Sequence, residues 1–201
     1  MNKVSSQVRY GEVERETRET KVSVVLDLDG GHSRGVETGI GFLDHMLELF
    51  AFHGQFSLGV KADGDRHVDD HHTVEDVGIT LGQALRGALK DANNIVRYGD
   101  TTTPMDEALV QVAMDISGRG VLVFDCPFQR EFLGAMATEN IREFLRALTT
   151  HACITLHVRR LAGDNDHHVA EAMFKGLGRA LHQATRYAER SGPPSTKGKL
   201  D

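Results

Sequence analysis

Tryptophan is absent from this 201-residue chain, cysteine occurs twice, and no apolar run reaches the roughly 18 residues that a membrane-spanning helix requires. Each absence excludes something. Cys126 and Cys153 have neither C-x-x-C spacing nor partners at zinc-finger distance, so they read as reduced, buried thiols. The first twenty residues carry no apolar stretch of the secretory kind, and the cytoplasm is the expected compartment. Positive charge is not in excess either: 29 acidic against 23 basic residues leave a net charge of −6, which predicts neither a nucleic-acid nor a membrane partner. A small anionic ligand, held by a few placed cations, fits better. There is no Gly-rich phosphate loop and no G-x-S-x-G, and "GLGRAL" lacks the strand-then-turn context of a dinucleotide fingerprint.

What the chain does have is an ordinary globular composition, 40% hydrophobic and 26% charged, and eleven histidines that are clustered rather than scattered. The clusters repeat. "DHHTVEDVGITLGQAL" (70–85) and "DHHVAEAMFKGLGRAL" (166–181) match at Asp, both His, Glu, Gly, Ala and Leu with an offset of 96. "RYG" recurs at 9–11 and 97–99, with Glu19 opposite Glu107 and Asp27 opposite Asp115, at an offset of 88. Between these blocks, 45–60 aligns with 143–158 at an offset of 98, setting His45 opposite Glu143 and His53 opposite His151.

The runs at 21–30 and 108–118 are β-branched and stopped by glycine, so they predict strands. Residues 41–54 and 138–151 space their apolar side chains as helices do, the second with Thr138 as N-cap. Strands return at 56–64 and 152–163, and each His-His segment opens a longer helix, 69–91 and 166–190, with acids favouring its N-terminus. Each half therefore reads strands, helix, strand, helix. Two such halves predict an α+β fold with helices sandwiched between two mixed β-sheets. It forms a single domain of two pseudo-repeats, about 6–92 and 93–190, and a Pro/Gly-rich tail at 191–201.

Residues i and i+4 share a helix face, so His71 with Glu75, and His167 with Glu171, can each converge on one ion. His72 and His168 point about 100° away from their neighbours and need a second ion or another subunit. Two similar metal sites follow, one cage from each half, and their mixed nitrogen and oxygen donors suit Mn, Fe, Co or Zn. Asp69, Asp70 and Asp166 are candidate acceptors for the imidazole N–H groups. His45 and its counterpart Glu143 supply one further ligand per site. His53 and His151, at helix ends where an imidazolium can meet terminal carbonyls, read as structural. Arg97, Arg119, Lys175 and the "STK" of 195–197 are candidates for an anion clamp.

"GFLDHMLELFAFHG", "DRHVDDHHTVED", "DISGRG", "LAGDNDHHVAEAMFKGLGRALHQAT" and the terminal "STKG" resemble the imidazoleglycerol-phosphate dehydratase family, over nearly the whole chain. These are lyases that form imidazoleacetol phosphate in histidine biosynthesis. The resemblance implies a manganese enzyme, with two Mn2+ per subunit and other divalent metals possible, whose trimers assemble to a homo-oligomeric 24-mer around a small-molecule phosphate substrate. It implies His45, His71, His72, Glu75, Glu143, His167, His168 and Glu171 as metal ligands. Many relatives carry histidine where this chain has Glu143, which gives one ion a harder, more anionic shell. It implies Glu19, Asp70, Arg97, Arg119, Lys175, Ser195, Thr196 and Lys197 as substrate contacts, the cations and Ser195 around the phosphate.

The mechanism to be tested is loss of the ring proton to give an imidazolate, expulsion of the adjacent hydroxyl through a diazafulvene-like intermediate, and proton removal from the next carbon. Glu19, or a metal-bound Glu75 or Glu171, would shuttle the protons. Glu19 is preferred because its repeat partner Glu107 stands beside no histidine motif in sequence. A metal-dependent hydrolase and a metal-storage protein are the competing readings.

Overall fold

In β2 (Thr20–Asp27) and β6 (Ala108–Asp115), every second side chain is buried: Thr20, Val22, Val24 and Leu26 in one, Ala108, Val110, Val112 and Met114 in the other. That period of two gives each strand one core face. The computed structural model describes residues 9–31, 34–90, 94–188, 192, 194 and 195. Around β2 a mixed sheet forms in the order β1-β2-β4-β3, with β1 at Tyr10–Glu16, β3 at Gly35–Glu37 and β4 at Ser57–Gly64. Around β6 a second forms as β5-β6-β10-β7, with β5 at Tyr98–Met105, β7 at Val121–Asp125 and β10 at Thr155–Ala162. In both sheets the last pairing, β3 with β4 or β7 with β10, is parallel and the others antiparallel.

The halves are thus topological copies, apart from a small hairpin, β8 (Phe132–Leu133) and β9 (Met136–Ala137), present only in the second. It lies between the repeat blocks at offsets 88 and 98 and accounts for the jump between them. Pro104, which cannot donate to a ladder, sits in β5 at a sheet edge.

Among the described residues, four helices fill the space between the sheets: α1 (Gly41–Gly54), α2 (His71–Ala88), α3 (Glu139–Ala152) and α4 (Asp166–Thr185). α2 covers β1 and β2, and α4 covers β5 and β6, while α3 packs on α2 and α1 on α4. The second layer of each stack therefore comes from the other half, which interlocks the duplicates. Phe50, Phe144 and Phe174 are fully buried, the last two with ring centroids 5.7 Å apart.

The crossing points use glycine in both halves. A Cβ on Gly82 would lie 2.7 Å from the Leu148 carbonyl oxygen, and one on Gly178 would collide with that of Phe50. Gly178→Ala is expected to destabilise the chain by about 1–3 kcal/mol, because the obstacle is backbone and cannot rotate away. A urea-unfolding midpoint matching the parent protein's would contradict this.

Helix starts differ from the sequence reading at two places, the first being α2, which begins at His71 and not at residue 69. Thr138 stands at the N-cap of α3 but makes no capping bond; its hydroxyl donates to the carbonyls of Arg130 and Glu131, 2.7 and 3.3 Å away. Asn165 does cap α4, accepting from the His167 amide at 3.0 Å. No helix among the described residues is long and apolar enough to cross a membrane. Both cysteines are free, as read, but only Cys126 is buried; burial pushes its thiol up to about 12, and Cys153 is partly exposed.

Candidate metal centre and active site

The first two turns of α4 direct His167 and Glu171 to one side, where α1 crosses and contributes His45. Both imidazoles converge on a single carboxylate oxygen: Glu171 Oε1 is 2.9 Å from His45 Nε2 and 3.1 Å from His167 Nε2. These three ligand atoms all lie within 4.8 Å of one another. The other oxygen of Glu171 accepts from Lys175 Nζ at 2.7 Å, and the same ammonium lies 3.1 Å from Met105 Sδ. The edge of Phe42 braces the His167 ring, centroids 5.4 Å apart. Two nitrogens and a carboxylate oxygen aimed at one point form a donor set for a borderline divalent cation, and the residues present fit such an ion. Beside His45 opens a groove of about 770 Å³ lined by Glu48, Leu49, Phe52, His53 and Arg179.

Burial alone would raise the Glu171 carboxyl, but Lys175, His45 and His167 outweigh it and hold the group at about 2. Since an ordinary glutamate titrates near 4.5, this contribution to stability is complete above that pH and is lost as pH falls toward 2. Acid titration of the metal-free chain should show a stability loss over that window that is smaller in Glu171→Gln by at most roughly 3 kcal/mol.

The second cluster is the pseudo-symmetric counterpart, and it is filled differently. His71 and Glu75 share a face of α2, Nε2 to Oε2 4.0 Å, and Glu143 approaches from α3. Between the two carboxylates lies the guanidinium of Arg146, 3.3 Å from Glu75 and 2.5 Å from Glu143. Each cluster thus combines a helix pair from both halves, not one cage per half as the repeat alone suggested. The interlocked packing of α1 on α4 and α3 on α2 is the reason.

His72 and His168 face away from both clusters. Asp65 lies 3.0 Å from His72 Nδ1, and Glu107 lies 2.8 Å from His168 Nδ1; each hydrogen bond raises the pKa of its imidazole. Glu107 is in turn lowered to about 2, first by His168 and then by backbone amides. His71 Nδ1 meets the buried Asn140 Oδ1 at 2.9 Å.

The acids expected to brace the imidazoles do other things. Asp166, 1% exposed, accepts from the amides of Gln129 and Arg130. Asp70 accepts from the Ala137 amide at 2.9 Å, and Asp69 from that of His71. The acids next in sequence are taken up by backbone amides, Asp69 at the helix start and Asp70 and Asp166 by the 129–137 segment, whereas the acceptors that reach the rings come from elsewhere. Glu107 was findable, since it repeats Glu19; Asp65 and Asn140 carry no such signal. Nor does His53 serve the end of α1. It is His182 Nδ1 that meets the Gly54 carbonyl at 3.0 Å, while burial, with Lys175 and Arg179 nearby, lowers His53.

Among the clamp candidates, Arg97 forks onto Asp115 at 2.6 and 3.0 Å and donates to the Pro194 carbonyl at 2.9 Å, so it does meet the chain beside Ser195. Arg119 is held in the β6–β7 turn, its amide donating to Ser117 Oγ. Thr196 and Lys197 lie outside the described residues. Glu19, with an exposed carboxylate, stands 3.8 Å from His72 Nδ1.

A family model described as imidazoleglycerol-phosphate dehydratase matches residues 38–181. The imidazoleglycerol-phosphate dehydratase of Acetivibrio thermocellus is 55% identical over 193 residues, covering 96% of this chain and 99% of that protein. That of Methylorubrum populi is 53% identical over 195 residues, covering 96% and 100%. The crystal structure of the Staphylococcus aureus dehydratase aligns with a TM-score of 0.81 at 40% identity, over 89% of this chain and 99% of that one. The Pyrococcus furiosus structure gives 0.81 at 38%, over 94% and 100%. By the family model over 38–181, relatives more than 50% identical over nearly the whole chain and a shared fold, this chain belongs to the imidazoleglycerol-phosphate dehydratase family and is a hydro-lyase.

Proposed function

We propose that this chain dehydrates imidazoleglycerol phosphate to imidazoleacetol phosphate in histidine biosynthesis, with two divalent cations, manganese first among them, holding the substrate's ring. The observation that carries the metal dependence is the convergence of His45, His167 and Glu171 on one point. Bound in these clusters, divalent cations supply Lewis acidity that stabilises an azole as its anion, much as they acidify bound water.

The chain's own residues do the rest. His45, His167 and Glu171 form one cage; His71, Glu75 and Glu143 form the other once Arg146 withdraws. His72 and His168, turned outward, complete cages on neighbouring copies. Glu19 takes up the ring proton and passes it to the hydroxyl, which leaves as water to give a diazafulvene-like state, then takes a proton from the next carbon, yielding the enol of the product, and returns it to the ring.

The phosphate clamp also comes from a neighbour. The Arg97 amide donates to the Ala184 carbonyl, 13 residues along α4 from Glu171, which is about 20 Å at the helical rise. The substrate spans only roughly 10 Å, with bonds of about 1.5 Å, so about half of that separation would fall to side chains, which favours the Arg97 of a neighbouring copy. Arg97, Arg119, Ser195, Thr196 and Lys197 of the neighbour, with Lys175 from beside the cage, would then surround the phosphate in an assembly of trimers, the 24-mer of the family, working in the cytoplasm.

Co-assembly tests this sharing. Glu171→Gln and His72→Ala chains, each inactive alone, should recover part of the activity when refolded together with Mn2+, because some sites then take their cage from one chain and their outward imidazole from the other. No recovery in mixed oligomers would contradict it. The ketone product separates dehydration from hydrolysis, which would release inorganic phosphate.

A further inference from the structure

Glu107 lies in the turn between β5 and β6, next to Asp106 in its left-handed conformation at φ +47°. Both of its carboxylate oxygens are used. Oε1 accepts from the amides of Asn165 at 2.9 Å and Asp164 at 3.4 Å, and Oε2 faces His168 Nδ1 at 2.8 Å. One side chain therefore joins the hairpin, the residues that cap α4 and an outward imidazole.

In the first half the same position behaves differently. Glu19 stops 3.8 Å short of His72, and Asp65 takes the ring instead, its two oxygens 3.0 and 3.2 Å from Nδ1. Asp65 has no acidic counterpart, because Leu161, Ala162 and Gly163 stand 96 to 98 residues further on. The duplicates hold equivalent imidazoles with carboxylates from different places. A carboxylate acceptor at Nδ1 requires that nitrogen to carry the hydrogen, leaving the Nε2 lone pair free to point outward.

We propose that Glu107 is a positioning residue, fixing His168 with Nδ1–H toward itself and Nε2 outward for a cation, as Asp65 does for His72, which leaves Glu19 available for proton transfer. The cation in this statement rests on the function proposed above; the ring geometry does not.

Glu107→Gln is the informative change. The two backbone amides need an acceptor, so the amide oxygen of the new side chain faces them and its NH2 faces His168. Nδ1 must then accept, and the hydrogen moves to Nε2, the nitrogen a metal would need.

Long-range ¹H–¹⁵N correlation of the full, metal-free, ¹⁵N-histidine-labelled chain above the imidazole titration range should show Nδ1–H at His168 in the parent protein and Nε2–H in the variant. Manganese titration should show one of the two binding steps weakened by about 10- to 100-fold and the other unchanged. Nε2–H in the parent protein overturns the inference, and that measurement needs no variant. So do an unchanged ring pattern and manganese affinity in a folded Glu107→Gln chain. Failure of the parent protein to take up manganese would instead remove the proposed function, leaving the ring measurement to decide this point.

Discussion

Glu171→Gln should lower turnover by at least about 10³-fold and remove one of the two cations. Glu171 Oε1 is the point at which the nitrogens of His45 and His167 meet, and its other oxygen is tied to Lys175. A glutamine keeps the size of the side chain but loses the charge, and its NH2 end cannot be a ligand. Electrophilic stabilisation by a bound cation contributes several kcal/mol, and about 4 kcal/mol corresponds to a thousandfold in rate. Elemental analysis and steady-state turnover of the same preparation check both halves of the prediction. A variant that keeps its full metal content and loses less than about tenfold in rate would remove Glu171 from the centre.

The second large effect is expected at Glu19. Its carboxylate is exposed, with no hydrogen bond among the described residues, 3.8 Å from the ring of His72. Glu19→Gln should cut turnover by about 10²- to 10⁴-fold, the usual contribution of a positioned proton donor and acceptor. Metal content and assembly should be unaffected, because the His72 ring is held by Asp65. Unchanged turnover would take Glu19 out of the mechanism. The sequence offered a poor reason for preferring it, namely that Glu107 is remote from any histidine. In space Glu107 is bonded to His168, and what separates the two glutamates is that Asp65 relieves one of them.

The parts of the fold legible in the sequence are those with a strong period and a buried face. The spacing of residues 41–54 predicts a helix and α1 occupies Gly41–Gly54; β2 and β6 are predicted because their inward positions are mostly apolar, with valine at the centre. β1 and β5 carry no such signal. Their only residues buried as in a core are Gly11 in one and Gly99, Thr101 and Thr103 in the other, so edge strands made of Glu, Arg and Thr look like loops until a neighbour pairs with them. The longer helices ended earlier than expected, α2 at Ala88 and α4 at Thr185.

At the site, i to i+4 spacing was sufficient for His71 with Glu75 and His167 with Glu171, because one helix fixes both side chains. Which of the aligned residues His45 and Glu143 joins which pair was not legible, since it depends on α1 and α3 crossing into the opposite half. The guanidinium of Arg146 between Glu75 and Glu143 was missed as well: its repeat position is Glu48, so the duplication hides it.

Metal content measured on the intact, active oligomer, with dehydration followed as a chelator is added and Mn2+ then restored, tests the two-cage proposal most directly. About two ions per chain, with turnover lost on their removal and regained on their return, is the predicted result. Fewer than one ion per chain in a fully active preparation would contradict it.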